Sequence, residues 1–280
     1  MSPVSSSPIV QMPKPFMKWG GSKLKLLGQY APFFPSSFGN YIEPFVGGGA
    51  VFFHLRAQAR IKNALLSDAN HEVVDCYVAI RDDVQAVIDA LRPHVYEKKY
   101  YYDVRALDPA RLPLPDRAAR LIYLLKTCYN GLCRVNSIGQ FNTPFGKYVN
   151  PTICDVPTLQ ACAQALQGVA IECADFRAVS SRPQSGDFVY LDPPYVPLSD
   201  TSNFTAYTPG GFGKHDQQAL AAVFRQLDQR GVLVMLSNSE TPLVRQLYAG
   251  FRIDVVSANR SINSKATKRG AIAELVVRNY

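Results

Sequence analysis

The sequence has no apolar run long enough to cross a membrane, and its opening, rich in Ser and Pro, does not have the basic-then-apolar order of a secretory signal. Its six cysteines form no Cys-x-x-Cys pair and have no histidine at a zinc-site spacing. We therefore expect a loose tail over residues 1–13, a cytoplasmic protein with reduced and mostly buried thiols, and no metal site.

Acidic residues are missing from three stretches, residues 1–42, 117–154 and 255–273, although the net charge of the whole chain is only +8. A single such stretch is ordinarily a solvated surface, but three of them, interleaved with aromatic residues and Asn, favour a groove around nucleic acid. The basic residues concerned are Lys14, Lys18, Lys23, Lys25, Arg117, Arg120, Lys126, Arg134, Lys147, Arg260, Lys265, Lys268 and Arg269.

The motif Asp192-Pro193-Pro194-Tyr195 follows an apolar run that predicts a buried strand. Two successive prolines have fixed φ and no N–H donors, so they form a stiff loop with outward-facing carbonyls. One carboxylate, fixed carbonyl acceptors and an aromatic face suit the exocyclic amine of a flat base. Such motifs are typical of methyltransferases that act on the amino group of adenine, and sometimes of cytosine, although a plain turn has the same composition.

A second strand is predicted at residues 41–46, before Gly47-Gly48-Gly49, and Asp68 ends a third strand about 20 residues later, as in nucleoside-binding α/β units. Glycines let the backbone approach a ligand, and the carboxylate can accept from ribose hydroxyls. Dinucleotide enzymes share this pattern, so it does not decide the cofactor. Because all these groups follow strand ends, we expect them to face one crevice.

Helical periodicity follows at residues 73–91 and 120–129, and a β-hairpin is predicted from residues 132–136 and 140–145. Residues 97–102 and 108–116 look like connectors, and Ser237-Asn238-Ser239 looks like a loop after a strand. Strands at residues 251–256 and 272–277 predict an antiparallel hairpin at the sheet edge. The fold class is thus α/β, with residues 1–75 and 156–280 as a catalytic domain and residues 76–155 as an inserted, mostly helical target-recognition domain.

Several motifs together resemble the Dam family, the α-class DNA adenine-N6 methyltransferases. They are Pro15 to Lys23, Glu43 to Gly49, Tyr129 to Arg134, Asn142 to Lys147, Leu191 to Tyr195 and Asn203 to Tyr207. The resemblance implies a Rossmann-like sheet that binds S-adenosylmethionine (SAM), and methyl transfer to N6 of a flipped-out adenine in double-stranded DNA, within GATC. It also implies an enzyme of the bacterial or phage type, which we expect to be a monomer.

The resemblance assigns roles to matching residues. The catalytic motif is Asp192, Pro193, Pro194 and Tyr195. The cofactor contacts implied are Trp19, Lys23, Phe45, Gly47, Gly49, Asp68, Asp175, Phe176 and Asp192. The target-recognition residues implied are Lys18, Tyr129, Asn130, Leu132, Arg134 and Pro144. For DNA phosphates, the charge pattern adds Arg117 and Lys126 as positioning contacts, and Lys147 stands where relatives usually have Arg.

Other functions explain less of the sequence. RNA and protein amino-group methyltransferases usually begin the motif with Asn and lack the hairpin insert, whereas N4-cytosine enzymes usually have Ser in place of Asp192. A nicotinamide dehydrogenase would account for the glycines and Asp68 alone. A catalytically silent DNA-binding protein would keep the basic stretches and could lose the carboxylate of Asp192, which is present here.

Overall fold

The computed structural model describes residues 11–136, 138–196, 211–259 and 271–280. Three predictions lie wholly or largely outside these residues: the loose amino-terminal tail, the loop from Asn203 to Tyr207, and the third basic stretch, residues 255–273. Within the described residues, no helix combines the length and apolar character that a bilayer span requires.

The described strands form one seven-stranded sheet in the order β3-β2-β1-β4-β5-β7-β6. The first five strands pair in parallel, whereas β7 pairs antiparallel with both β5 and β6. The predicted antiparallel hairpin at the sheet edge is therefore confirmed. The strands are β1 (Tyr41–Glu43), β2 (Ala64–Asp68), β3 (Ala170–Cys173), β4 (Phe188–Leu191), β5 (Leu233–Ser239), β6 (Arg252–Asn259) and β7 (Ala271–Arg278).

Burial on both faces explains why β4 is a continuous apolar run. All four of its residues are buried, as expected for a central parallel strand covered by helices on each side. Because successive side chains point to opposite faces, Phe188 and Tyr190 join one core cluster while Val189 and Leu191 join the other. The same alternation in β5 places the sheet between two helical layers.

The helices begin and end as follows: α1 (Leu27–Tyr30), α2 (Ala50–Ala57), α3 (His71–Leu91), α4 (Lys98–Ala106), α5 (Leu114–Thr127), α6 (Val156–Leu166), α7 (Phe176–Val179), α8 (Lys214–Gln229) and α9 (Pro242–Leu247). Helix α3 contacts β2 and β3 as well as α5 and α6. It runs across the predicted domain boundary at residue 75, and one buried cluster extends over both sides of that boundary. The division into two domains stays a prediction.

Two connector predictions are wrong. Residues 97–102 begin α4, and residues 108–116 contain a short 3₁₀ helix, Pro109–Arg111, and the start of α5. Helix α4 forms because its tyrosines belong to the core: Tyr101 is fully buried and its hydroxyl donates to the carbonyl of Thr143 at 2.8 Å. The sequence of α4 shows little apolar periodicity because its buried position is taken by tyrosine, an aromatic residue with a polar hydroxyl.

The predicted β-hairpin is present only as a loosely paired ribbon. One isolated antiparallel bridge joins its arms, Val135 to Phe141, and another joins Phe145 to Cys128, just before the first arm; the part of the ribbon that the structure describes contains no regular strand. Asn142 N donates to the carbonyl of Arg134 at 2.8 Å, and Asn136 N to that of Gln140 at 2.9 Å. The two arms therefore lie antiparallel, as predicted, but the ladder is incomplete.

A buried ion pair joins α3 to α5. Arg120, 3 % exposed, bonds Glu72 at 2.9 Å and also donates to the carbonyls of Val104 and Arg105 in α4. Burial raises the pKa of Glu72, and the Arg120 guanidinium partly offsets that rise. The arginine therefore supplies both the countercharge and the hydrogen bonds that connect three helices.

We expect Arg120→Met to lower the free energy of unfolding by about 3–5 kcal/mol, because it leaves the Glu72 carboxylate buried without its countercharge. The double variant Glu72→Gln/Arg120→Met should recover part of that loss, because the unpaired charge is gone. Urea unfolding of both variants and the wild type measures the difference. A double variant no more stable than the single one would show that the lost carbonyl contacts, not the charge, dominate.

Candidate active site

The loop after β1 is shaped by glycines that approach other side chains closely. Gly47 and Gly49 have left-handed backbones, with φ of 44° and 65°. A Cβ at Gly47 would lie 2.5 Å from Nε1 of Trp19, and one at Gly49 would lie 2.5 Å from the Tyr77 hydroxyl. The Tyr77 hydroxyl, on α3, donates to the Gly47 carbonyl at 3.0 Å and so holds the loop in place. Neither glycine can carry a side chain without rearrangement.

Asp68 ends β2 beside this loop, as predicted. Its carboxylate accepts from Gly47 N at 3.1 Å and from Asn70 N at 2.9 Å. Burial raises the pKa of Asp68 to about 6, and hydrogen bonds from the backbone of Asn70, Gly47 and Ala69 offset only part of the rise. The side chain is thus held by backbone N–H groups at the edge of a crevice, in a position to accept further hydrogen bonds once ionised.

Asp192 follows β4 and lies on the opposite wall of the crevice. Lys23, only 4 % exposed, bonds one carboxylate oxygen at 2.9 Å and also donates to the Gly21 carbonyl. The Ser237 hydroxyl donates to the other oxygen at 2.7 Å. The residues that line the crevice are Trp19, Ser22, Lys23, Glu43, Phe45, Val46, Gly47, Gly48, Gly49, Ala50, Val51, Tyr190 and Asp192. The glycine loop and Asp192 therefore face one crevice, as predicted, whereas Asp68 is bonded to Gly47 N and is not one of the lining residues.

Glu43, at the end of β1, is a crevice residue that the sequence reasoning did not single out. It is 2 % exposed, and the Tyr41 hydroxyl donates to it at 2.8 Å. Burial raises the pKa of Glu43 well above its usual range, and the nearby negative charge of Asp192 adds to the rise. The sequence did place Glu43 directly before Pro44 and the glycine loop, which could have marked it as a crevice residue. It was overlooked because it fell within the strand predicted at residues 41–46.

Phe45, which lines the crevice, belongs to a cluster of three phenylalanine rings. Phe45 stacks on Phe176 with ring centroids 5.4 Å apart, and Phe212 meets both rings. Asp175 caps α7 and is exposed, and its carboxylate pairs with Arg177 at 3.1 Å. Phe45 and Phe176 therefore lie together, as the resemblance implies, whereas Asp175 is already engaged by a cation.

The loop of residues 192–196, which contains the predicted catalytic motif, is held by hydrogen bonds from neighbouring elements. The Pro194 carbonyl accepts from Gln217 at 2.8 Å, and the Tyr195 hydroxyl donates to Glu274 at 2.9 Å. The Lys23 ammonium lies 4.7 Å from the centre of the Tyr195 ring. Within the described residues, no hydrogen bond reaches the carbonyl of Pro193. That oxygen differs in this respect from the Pro194 carbonyl, which is bonded to Gln217.

Comparison with known proteins decides which family has this arrangement. The family model for D12 class N6 adenine-specific DNA methyltransferases matches residues 19–262. The chain belongs to this family. It is 42 % identical to the type II methyltransferase M1.LlaDCHI of Lactococcus lactis subsp. cremoris, with 95 % of each protein covered. It is 43 % identical to M.MjaIII of Methanocaldococcus jannaschii, over 95 % of this chain and 99 % of that protein. It is 35 % identical to the DNA adenine methylase of Escherichia coli K12, over 93 % of each.

The chain is therefore an adenine-specific DNA methyltransferase with the class I methyltransferase fold, and its substrate is DNA. The resemblance to Dam-type enzymes and the enzyme class are confirmed. The residue roles that the resemblance implies are not decided by these similarities.

Six of the residues predicted to contact DNA lie exposed in one region of the enzyme: Lys18, Tyr129, Asn130, Arg134, Pro144 and Lys147. Leu132 is half-buried among them. Tyr129 N donates to the Pro144 carbonyl at 2.8 Å, and Gly20 N donates to the Gly131 carbonyl at 3.1 Å. These bonds bring the segment around Lys18 against the ribbon of residues 128–146. We call this region the basic face.

Arg117 and Lys126 are not placed as freely as the sequence predicted. Arg117 pairs with Asp75 at 2.7 Å, and Lys126 donates to the carbonyl of Thr152 at 3.1 Å. Burial lowers the pKa of Lys126. Both cations have partners inside the protein and are weaker candidates for phosphate contacts than the exposed Lys147.

The prediction for Ser237-Asn238-Ser239 is wrong. These residues are the carboxyl end of β5, where they pair with β7, and all three are buried. Three polar residues in succession looked like a loop because burial of polar groups is rare without partners. Here the partners lie in or beside the loop of residues 192–196, which is distant in sequence.

We expect Asp68→Asn to weaken the pH dependence of stability. The unfolded value is about 3.9, and the folded-state pKa is raised to about 6. The native carboxyl therefore keeps a proton that the unfolded chain loses. Its contribution to the free energy of unfolding is complete below the unfolded pKa and is lost as the pH rises through the folded value.

Urea unfolding of wild type and Asp68→Asn at several pH values between about 4 and 7 measures this contribution. The difference between the two unfolding free energies should change across that window in favour of the variant as the pH rises. If the unfolding free energies of wild type and variant changed with pH in parallel, the pKa of Asp68 would not be raised in the folded protein.

Proposed function

We propose that the enzyme transfers the methyl group of SAM to N6 of an adenine that is turned out of double-stranded DNA. The observation that carries the proposal is the position of Asp192, which faces the same crevice as the glycine loop of β1. The methyl donor and the base would meet between these two elements, at the carboxyl ends of parallel strands, where open α/β sheets hold ligands.

The residues of the crevice fit SAM. The two left-handed glycines leave no room for a Cβ and expose backbone to a ligand. Asp68 would accept from the ribose hydroxyls, and Phe45 and Phe176 would hold the adenine of the cofactor. Trp19 packs over Gly47 and would cover the opposite side. When bound, SAM supplies a methyl group made electrophilic by the positive sulfur.

Asp192 and Pro193 provide what the target amine needs. The lone pair of adenine N6 is delocalised into the ring, so the nitrogen is a poor nucleophile. Two acceptors for its hydrogens favour a tetrahedral nitrogen whose lone pair is exposed. The Asp192 carboxylate is one acceptor. We assign the Pro193 carbonyl as the other, since no hydrogen bond within the described residues reaches it, whereas the Pro194 carbonyl accepts from Gln217. Positive charge that develops on N6 is stabilised by Asp192 in a site that excludes water.

The amine cannot reach this pair of acceptors while the adenine is stacked, so the base must leave the duplex, at a cost on the order of a few kcal/mol. Tyr195 offers a ring face that offsets part of the cost. Glu274 holds its hydroxyl and Lys23 lies over the ring, so the plane is fixed before the base arrives. Preorganisation of this kind lowers the entropy lost in forming the reactive geometry.

Sequence is read at the basic face. Arg134 is exposed and donates through Nε to the side chain of Asn142 at 2.7 Å. This bond orients the guanidinium, whose remaining N–H groups match O6 and N7 of guanine in the major groove. GATC as the target, action as a monomer and a cytoplasmic location complete the proposal. All three rest on resemblance and composition.

The catalytic role predicts that Asp192→Asn reduces methyl transfer at least about 100-fold, because the carboxylate that stabilises charge on N6 is lost. Purified wild type and variant are given plasmid and labelled SAM, and incorporation into DNA is counted. Restriction enzymes that sense methylation at GATC then report the site. No incorporation by the wild type would remove the proposed function, whereas label in DNA with unmodified GATC would remove only the specificity.

The reading role predicts that Arg134→Ala costs about 1–3 kcal/mol of discrimination at one base pair of the site. The matched variant Lys147→Ala should weaken activity equally on all sequences, as loss of a phosphate contact does. Both are measured as kcat/KM on duplexes that each differ from the preferred site by one base pair. If Arg134→Ala lowered kcat/KM equally on all the duplexes, Arg134 would be a phosphate contact instead.

A further inference from the structure

The end of β5 holds polar side chains that no role assigned above explains. Ser237, Asn238 and Ser239 are buried, with at most 3 % of each exposed. Buried polar groups on a central strand are costly unless they have partners. Each of the three finds its partner in or beside the loop of residues 192–196, although about 40 residues separate the two segments in sequence.

Tandem prolines make such outside support necessary. Pro193 and Pro194 have no backbone N–H, so this part of the loop cannot form the hydrogen bonds by which turns usually fix their own shape. Fixed φ values limit the loop, but they do not set the χ angles of Asp192 or the peptide plane after Pro194. Those have to be set by neighbouring elements.

Ser237 acts on the carboxylate. Its hydroxyl donates to Asp192 Oδ1 at 2.7 Å, and the Tyr190 hydroxyl lies 3.0 Å from Ser237 Oγ. A serine hydroxyl has one hydrogen, and an ionised carboxylate can only accept. Tyr190 must therefore donate to Ser237 while Ser237 donates to Asp192. This chain of hydroxyls opposes Lys23, which holds the other carboxylate oxygen, so the plane of the carboxylate is fixed from two sides.

Asn238 and Ser239 act on the backbone of the loop. Asn238 donates to Gln217 Oε1 at 3.0 Å, and Gln217 in turn donates to the Pro194 carbonyl at 2.8 Å. Asn238 also accepts from Val196 N at 3.3 Å, while Ser239 donates to the Val196 carbonyl at 2.7 Å. The peptide planes on either side of Tyr195 are thereby held, whereas no hydrogen bond within the described residues reaches the carbonyl of Pro193.

We propose that Ser237-Asn238-Ser239 is the positioning element of the catalytic loop, in which Ser237 orients the Asp192 carboxylate and Asn238, through Gln217, orients the peptide after Pro194. The inference rests on the proposed role of Asp192 and goes beyond it. None of the three residues touches the reacting atoms. They set the angle and spacing between the two acceptors of the amine. Misplacement of either acceptor would slow the chemical step rather than weaken binding.

The test is single-turnover methyl transfer by Ser237→Ala, with enzyme in excess over a DNA duplex and saturating labelled SAM. We expect the rate constant to fall about 10- to 100-fold, because the carboxylate is drawn towards Lys23 alone. The dissociation constants for SAM and for DNA should each change less than about threefold, which is little on the scale where 1.4 kcal/mol is tenfold. Ser237→Thr keeps the hydroxyl and should restore most of the rate.

Ser67 provides a matched control. It is fully buried on β2 of the same sheet, and its hydroxyl has no hydrogen-bond partner within the described residues. Ser67→Ala removes the same atom from a similar environment and should leave the single-turnover rate unchanged. If both alanine variants lose rate and melt earlier to the same extent, the effect of Ser237 is only structural and the inference is overturned.

Two more variants test the network beyond Ser237. Gln217→Met fills the same space without a donor for the Pro194 carbonyl and should lower the rate with SAM affinity retained. Tyr190→Phe should lower it less, and combined with Ser237→Ala it should add little, because both act through one contact. Fully additive losses would contradict the relay from Tyr190 through Ser237.

The outcomes separate this inference from the proposed function. A wild-type enzyme that labels DNA, an inactive Asp192→Asn and a fully active Ser237→Ala would overturn the positioning role alone. A wild-type enzyme that labels no DNA would remove the proposed function itself.

Discussion

The Asp192 carboxylate is held between two side chains that come from distant parts of the chain. Lys23 bonds one oxygen at 2.9 Å and Ser237 bonds the other at 2.7 Å. Lys23 is almost completely buried, and the carboxylate is its countercharge. The ion pair therefore fixes the amino-terminal segment against β4, and the loop of two prolines is aligned as a consequence.

Three carboxylates, those of Glu43, Asp68 and Asp192, lie in or beside the crevice, and their environments differ. Glu43 and Asp68 both have a raised pKa because burial disfavours their charged forms, and neither has a lysine or arginine within ion-pair distance among the described residues. Asp192 has Lys23. A crevice that keeps one carboxylate paired while disfavouring charge on two others limits its own electrostatic repulsion. A positively charged ligand would shift that balance, since it favours ionisation of the carboxylates around it.

Much of the fold followed from the sequence where burial is complete on both faces. The strands at residues 188–191 and 64–68 are dense in apolar residues, and the acids that end them have to meet at one edge of a parallel sheet. Helix α4 could not be predicted in the same way because Tyr101 buries its ring while its hydroxyl needs the Thr143 carbonyl, a partner over 40 residues later. Ser237 and Asn238 were missed for the same reason. Their partners are set by tertiary structure, and local polarity alone indicates a loop.

The basic face and the crevice share one short peptide. Lys18 lies over the Tyr148 ring at 3.6 Å, and Gly20 N is bonded to the Gly131 carbonyl, so this end of the peptide belongs to the ribbon. Five residues after Lys18, Lys23 is bonded to Asp192.

Between these ends, Trp19 packs on Gly47, and Gly21 takes a left-handed backbone with φ of 84°. A peptide tied at both ends over so few residues transmits displacement of one end to the other. Under the proposed function, contact between DNA and the ribbon would therefore bear directly on Lys23, and through Lys23 on the carboxylate that we propose faces the base. The proposed recognition of the site and the proposed alignment of the acceptor would then be coupled through this one peptide.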